Sequence, residues 1–149
     1  MEHPRSETRE RPKVARFSTA FVSSSVSIID SQHYELLTLA DELHLAMTRG
    51  NAHMVMGTFL DRLESCLLNH FGTEEELMAT RDYGGRAAHV LEHERARNAI
   101  RHLKQSFNAG SMPIAFDTMQ FLHEWLAPHL EGPDRELIAS LLSRPSGPC

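Results

Sequence analysis

His70 and Glu74 stand four residues apart, and so do His89 and His93. On a helix such a pair lies one turn above another on one face. Gly84-Gly85 separates the two pairs, so they are expected on adjacent antiparallel helices. Imidazoles and carboxylates turned toward each other across a helix pair are how a bundle builds a metal site in its core. His33, His129 and Asp134 extend the set: His33 heads one apolar face, His129 ends another, and Asp134 follows the Gly132-Pro133 turn and can fold back. For any one of these alone, a surface or hydrogen-bonded core histidine is the stronger explanation. Together they are different. Polar groups on the core faces of several helices cost roughly several kcal/mol each if left unsatisfied, and a metal satisfies them at once.

Four helices are needed to position these side chains, and the apolar periodicity supplies four. The first is expected to start at Asp30 or Ser31, to carry Leu36, Leu37, Ala40, Leu43 and Met47 inward, and to stop at Gly50-Asn51. The second runs from about Ala52 to Arg81, with Met56, Phe59, Leu63, Cys66, Leu67, His70, Glu74 and Leu77 on its face. The third follows Gly84-Gly85 and alternates His89, His93, Ala96, Ile100, Leu103 and Phe107. The fourth opens near Pro113 and carries Ala115, Met119, Leu122, Leu126 and His129. A short last helix spans Asp134 to Leu142. The fold class is therefore all-α: an up-down-up-down four-helix bundle with an N-terminal arm and a short C-terminal helix. In that topology the polar positions all fall at the same end of the bundle.

The arm, Phe17 to Ser27, reads as extended chain packed on the domain. Residues 1–16 and 144–149 read as disordered tails flanking a single domain over 17–143. The chain of 149 residues has 41% hydrophobic residues and a formal charge of -5. With no basic stripe, nucleic acid is not the expected partner. No run of 18 apolar residues suggests membrane insertion. Without a secretory signal or a disulfide framework the expected location is cytoplasmic. The sequence names no protein partner.

The series His33; His70-x-x-x-Glu74; His89-x-x-x-His93; His129-x-x-x-x-Asp134 resembles the hemerythrin signature, and the resemblance covers roughly Phe17 to Leu142. Ile29-Asp30-Ser31-Gln32-His33 is similar to the family's opening, and Trp125-Leu126-Ala127-Pro128-His129 to its last-helix motif. The form is that of a bacterial single-domain member. The resemblance implies two iron ions with an oxo or hydroxo bridge. His89, His93 and His129 would bind one iron, His33 and His70 the other, with Glu74 and Asp134 bridging. The second iron would keep an open position for dioxygen, walled by Leu36, Trp125, Leu126 and Leu130. Reversible dioxygen binding for storage, transport or sensing follows, rather than enzymatic turnover.

The residue types agree with iron, since imidazole and carboxylate suit it and no thiolate belongs to the set. Oxygen-activating bundles use Glu-x-x-His on two helices, and none occurs here. Fewer anionic ligands favour reversible binding. The alternatives are a di-iron enzyme acting on peroxide or nitric oxide, and an iron or oxygen sensor. His123-Glu124 is no zinc-protease motif, because Ala127 takes the place of the second histidine. His44 is eleven residues from His33, about 16 Å along a helix and too far to join the site. His3, His53, His102 and His123 read as tail, rim or exposed residues, and Cys66 as a small core residue. Two departures stand out: Pro128 should kink the last turn before His129, and the arm offers Phe17 and Phe21 where the family commonly has Trp.

Overall fold

Apolar residues at three- and four-residue steps build the long helices of the computed structural model, which describes residues 17–143 except 22 and 25. The expected tails, with His3 and Cys149, lie outside the described residues. Helix α1 spans Ser27–Thr48, α2 Ala52–Thr80 and α3 Arg86–Asn108. Helix α4, Ile114–Phe121, runs through a π-helical turn, Leu122–Leu126, into α5, Ala127–Glu131; α6 is Pro133–Ser143. No strand occurs among the described residues. Neighbouring helices joined by short loops pack α1 on α2, α2 on α3, α3 on α4 and α4 back on α1, which closes the four-helix bundle.

The helix ends follow backbone chemistry. Gly50 and Gly110 take φ of +74° and +80°. Each donates to the carbonyl three residues back, while the next residue donates to one five back, the Schellman stop that satisfies the last carbonyls. At the end of α2 the left-handed residue is Asp82, with φ +50°, and not one of the two glycines. Gly85 instead lies against the Tyr83 ring, which would have to shift for a Cβ there, 2.8 Å away. Helix α1 begins ahead of Asp30 and Ser31, and its N-cap Val26 makes no side-chain cap. The Asp30 carboxylate faces back to the arm, where it accepts from the amide and hydroxyl of Ser24. The arm is not wholly extended either. Phe17–Ala20 forms a 3₁₀ turn, and Asp41 on α1 accepts from the Phe17 amide and from the Ser18 hydroxyl.

Leu36, Leu43, Leu63, Leu67, Ile100 and Leu122 are among the buried side chains of one continuous core. On α2 the seam advances from Met56 to Leu67 to Met78, eleven residues at each step. That period nearly matches a straight helix. It carries Leu77 and Cys66 off the seam, contrary to the sequence expectation, and brings Phe71 and Met78 onto it. Cys66 is half-buried, donates to Glu35 at 3.1 Å, and is pushed up to about 11 by burial.

Pro128 is matched by the geometry one turn upstream of itself. It has no N–H for the carbonyl of Glu124, and its ring crowds that carbonyl. The chain widens there, with the Ala127 amide donating to Leu122, five residues back. The proline is thus absorbed by a π turn between Leu122 and His129.

Candidate metal centre

The bundle brings all seven polar positions to one end, where all seven side chains are buried. His33 comes from the first part of α1, and His70 and Glu74 from the second half of α2. His89 and His93 come from the start of α3, His129 from α5 and Asp134 from the first turn of α6. Gly132-Pro133 turns the chain so that Asp134 reaches back to His129. Asp134 Oδ2 is 2.8 Å from His33 Nε2 and 3.0 Å from His70 Nε2. Its Oδ1 is 2.8 Å from His129 Nε2 and 3.0 Å from His89 Nε2. Glu74 Oε1 lies 3.1, 3.5 and 3.2 Å from Nε2 of His70, His89 and His93.

These short distances do not all amount to hydrogen bonds. Both oxygens of Glu74, Oδ1 of Asp134 and Nε2 of His89, His93 and His129 are buried without a hydrogen-bond partner. Carboxylate oxygens and imidazole nitrogens converge there without hydrogen-bond geometry between them. Burying such atoms unsatisfied is costly, and a cation at their focus relieves all of them together. The donors form two overlapping groups, each with ligand atoms within 4.8 Å of one another: Glu74, His89, His93, His129 and Asp134; and His33, His70, Glu74 and Asp134.

The electrostatics ask for positive charge. Burial alone would push His70 and His89 down, but Asp134 and then Glu74 outweigh it and lift both to about 9. Burial would raise the two carboxyls, yet the histidines hold Glu74, and Asp134 more strongly, below the usual carboxylate range. The two carboxylates thus favour positive charge on the imidazoles beside them. A metal would take the place of protons held there.

A second layer orients the donors, and sequence reasoning missed it. His70 Nδ1 donates to Gln32 Oε1 at 3.0 Å, and Gln32 Nε2 donates to Thr73. His93 Nδ1 donates to Glu75 Oε1 at 3.2 Å. With Nδ1 engaged, neutral imidazole presents its Nε2 lone pair inward. Phe71 stacks on His93 at 4.1 Å and Trp125 on His129 at 4.4 Å. The available signal was adjacency: Gln32 precedes His33, Phe71 follows His70 and Glu75 follows Glu74.

Of the four residues expected to wall an oxygen pocket, Leu36 and Leu126 are sealed in the core, while Trp125 and Leu130 are half-buried. A cleft of about 300 Å³ opens beside His33, lined by Leu130 together with Leu37, Phe21 and Ile138. His53, His102 and His123 are exposed, with His123 against the Phe17 ring, and His44 is half-buried, away from both donor groups.

Fold and cluster define a helical-bundle protein with a buried imidazole and carboxylate cluster able to hold a metal between its helices. The chain belongs to the hemerythrin family: it matches the Hemerythrin HHE cation binding domain over residues 24–141. It is 29% identical over 119 residues to the bacteriohemerythrin of Methylococcus capsulatus, covering 80% of this chain and 90% of that one. It is 30% identical over 110 residues to the bacteriohemerythrin of Stenotrophomonas maltophilia, covering 74% of this chain and 71% of that one. No solved structure matches. No helix among the described residues is long and apolar enough to cross a membrane.

Proposed function

We propose that this chain is a non-haem di-iron protein that binds dioxygen reversibly, for storage, delivery or sensing, through one domain spanning residues 17–143. The observation that carries the reading is the way the donors divide. Two groups share Glu74 and Asp134 and split the histidines into His89, His93 and His129 on one side and His33 and His70 on the other. On this reading each histidine group holds one iron. Glu74 and Asp134, shared by both groups, would hold both irons, beside an oxo or hydroxo group. Imidazole and carboxylate donors without thiolate suit iron. The one described cysteine, Cys66, is kept protonated by burial and by Glu35.

The two irons, when bound, supply the electrons that dioxygen takes up on binding and returns on release. The residues of the chain hold, orient and shield. Gln32 and Glu75 fix the rings of His70 and His93. The two-histidine side offers fewer protein donors, so room for a small ligand lies toward α1. Leu36, one turn from His33, and Leu126 have almost no exposure and would form the apolar part of the wall. Trp125 is half-buried, and Leu130 lines the cleft that reaches His33, together with Ser23, Ser24 and Arg135. The apolar part withholds protons, which favours release of dioxygen over its conversion to hydrogen peroxide.

The test is gas uptake by iron-loaded, anaerobically reduced protein. One dioxygen per iron pair, taken up in air and released under argon over repeated cycles, is the expected result. Uptake with no release, or sustained turnover of peroxide or nitric oxide, would move the assignment to an enzyme.

A further inference from the structure

The two histidines held from behind differ in the charge that holds them. Behind His70 is the neutral amide of Gln32. Behind His93 is the carboxylate of Glu75, whose second oxygen accepts from Arg97 Nη2 at 3.0 Å. Arg97 Nη1 also donates to Glu94 at 2.5 Å. The Arg97 guanidinium lies 5.3 Å from the centre of the Phe71 ring, and that ring stacks on His93. His93 is therefore gripped at its edge by Glu75 and on its face by Phe71, and Arg97 touches both grips. The side chains of Glu75 and Arg97 are 26% and 22% exposed. They are wet enough to keep their charges and shielded enough for those charges to act locally. Neither belongs to the two donor groups.

We propose that Glu75 and Arg97 are positioning residues that set the donor strength of His93, and through it the ferric–ferrous balance of the three-histidine iron. Glu75 strengthens the donor and Arg97 moderates it. The inference rests on the iron reading above. A carboxylate that accepts from Nδ1–H draws the proton toward itself and builds negative charge on the ring. Nε2 then favours the more highly charged metal. An amide in the same place gives orientation without that charge, which is the state of His70. Arg97 competes for the same carboxylate and weakens its pull. The second layer thus places its anion behind one iron only.

A plain salt bridge between α2 and α3 would serve packing alone, and the two roles separate by sign. Glu75→Gln keeps an acceptor oxygen for His93 and removes the charge; Arg97→Gln removes the opposing charge. The measurement is the iron midpoint potential by mediated redox titration, beside the dissociation constant for Co(II) in the metal-free protein. Glu75→Gln should raise the potential and Arg97→Gln should lower it. Glu75→Ala, which loses orientation as well, should weaken Co(II) binding by about 10–100-fold, and Glu75→Asp should restore part of it. Should Arg97→Gln not fold, Arg97→Met keeps an unbranched chain over Phe71 and takes its place. Shifts of the same sign, or none, in protein that holds its iron would overturn the proposal and leave the iron reading intact. A wild type that takes up no iron would overturn that reading instead.

Discussion

Asp134 touches more of the cluster than any other side chain, with His33, His70, His89 and His129 all within 3.0 Å of its oxygens. The metal-free site is consequently a proton-filled version of the metal site, and this has a pH signature. His70 and His89 are raised from 6.5 to about 9 on folding. A group raised by folding stabilises fully below its unfolded value and loses that contribution as pH climbs to its folded value. The melting temperature of chelator-treated protein should therefore fall between pH 6.5 and 9, while iron-loaded protein, its histidines already deprotonated, should lack that slope. A metal-free melting temperature that rises over this range would contradict the assignment of protons to His70 and His89. Leu36 gives a second residue-level outcome. It is fully buried, so Leu36→Asn wets the wall beside His33. Air-exposed variant protein should lose its capacity to rebind dioxygen several-fold faster than wild type while keeping its iron. Equal decay by repeated uptake measurements would remove Leu36 from the oxygen pocket.

Among the elements, the fourth helix is where sequence and structure part most usefully. Pro128 announces an irregularity in the sequence, but its form, a π turn from Leu122 to Leu126, depends on packing on both sides. Leu122 and Leu126 are locked in the core, and His129 is locked in the cluster. Removing the extra residue from the turn would rotate one side against the other by about 100°. Pro128→Ala should therefore keep the π turn and retain iron. A regular α-helix in the variant's structure, or loss of iron, would show that proline and not packing imposes the turn. Helix existence and order, and most of the inward faces, were legible because 3.6-residue periodicity is strong over helices of this length; on α2 the eleven-residue step moved the seam to Phe71 and Met78. The true start of α1 at Ser27 was not, because Asp30 looks like a cap and instead ties down Ser24. Nor was the left-handed Asp82, which ends α2 beside two more obvious glycines. The seven polar positions stood out as histidines and carboxylates on apolar faces. Gln32, Glu75 and Arg97 did not, because their partners lie one ring away on other residues and only a folded bundle reveals the pairing.

At the scale of the molecule, one cluster ties α1, α2, α3, α5 and α6 together at one end, while away from it apolar packing around Met56, Phe59 and Ile114 is joined by surface ion pairs of Lys104 with Asp61 and Glu64 and of Arg62 with Glu42. Anything that binds the folded cluster and not the unfolded chain adds stability. Stripping the metal should lower the melting temperature, and hydrogen exchange should accelerate most at the His33 end of α1, the start of α3 and α6. Uniform exchange along the helices, or equal melting of loaded and stripped protein, would mean that the cluster does not hold the bundle. Reversible dioxygen binding here requires two irons sharing two carboxylates inside this bundle. The most direct test is a crystal structure of aerobically iron-loaded protein with anomalous scattering recorded across the iron edge. Two iron peaks about 3.5–4 Å apart are expected, one against His89, His93 and His129 and the other against His33 and His70, with Glu74 and Asp134 between them. A single peak, or peaks that leave either histidine group without iron, would contradict it.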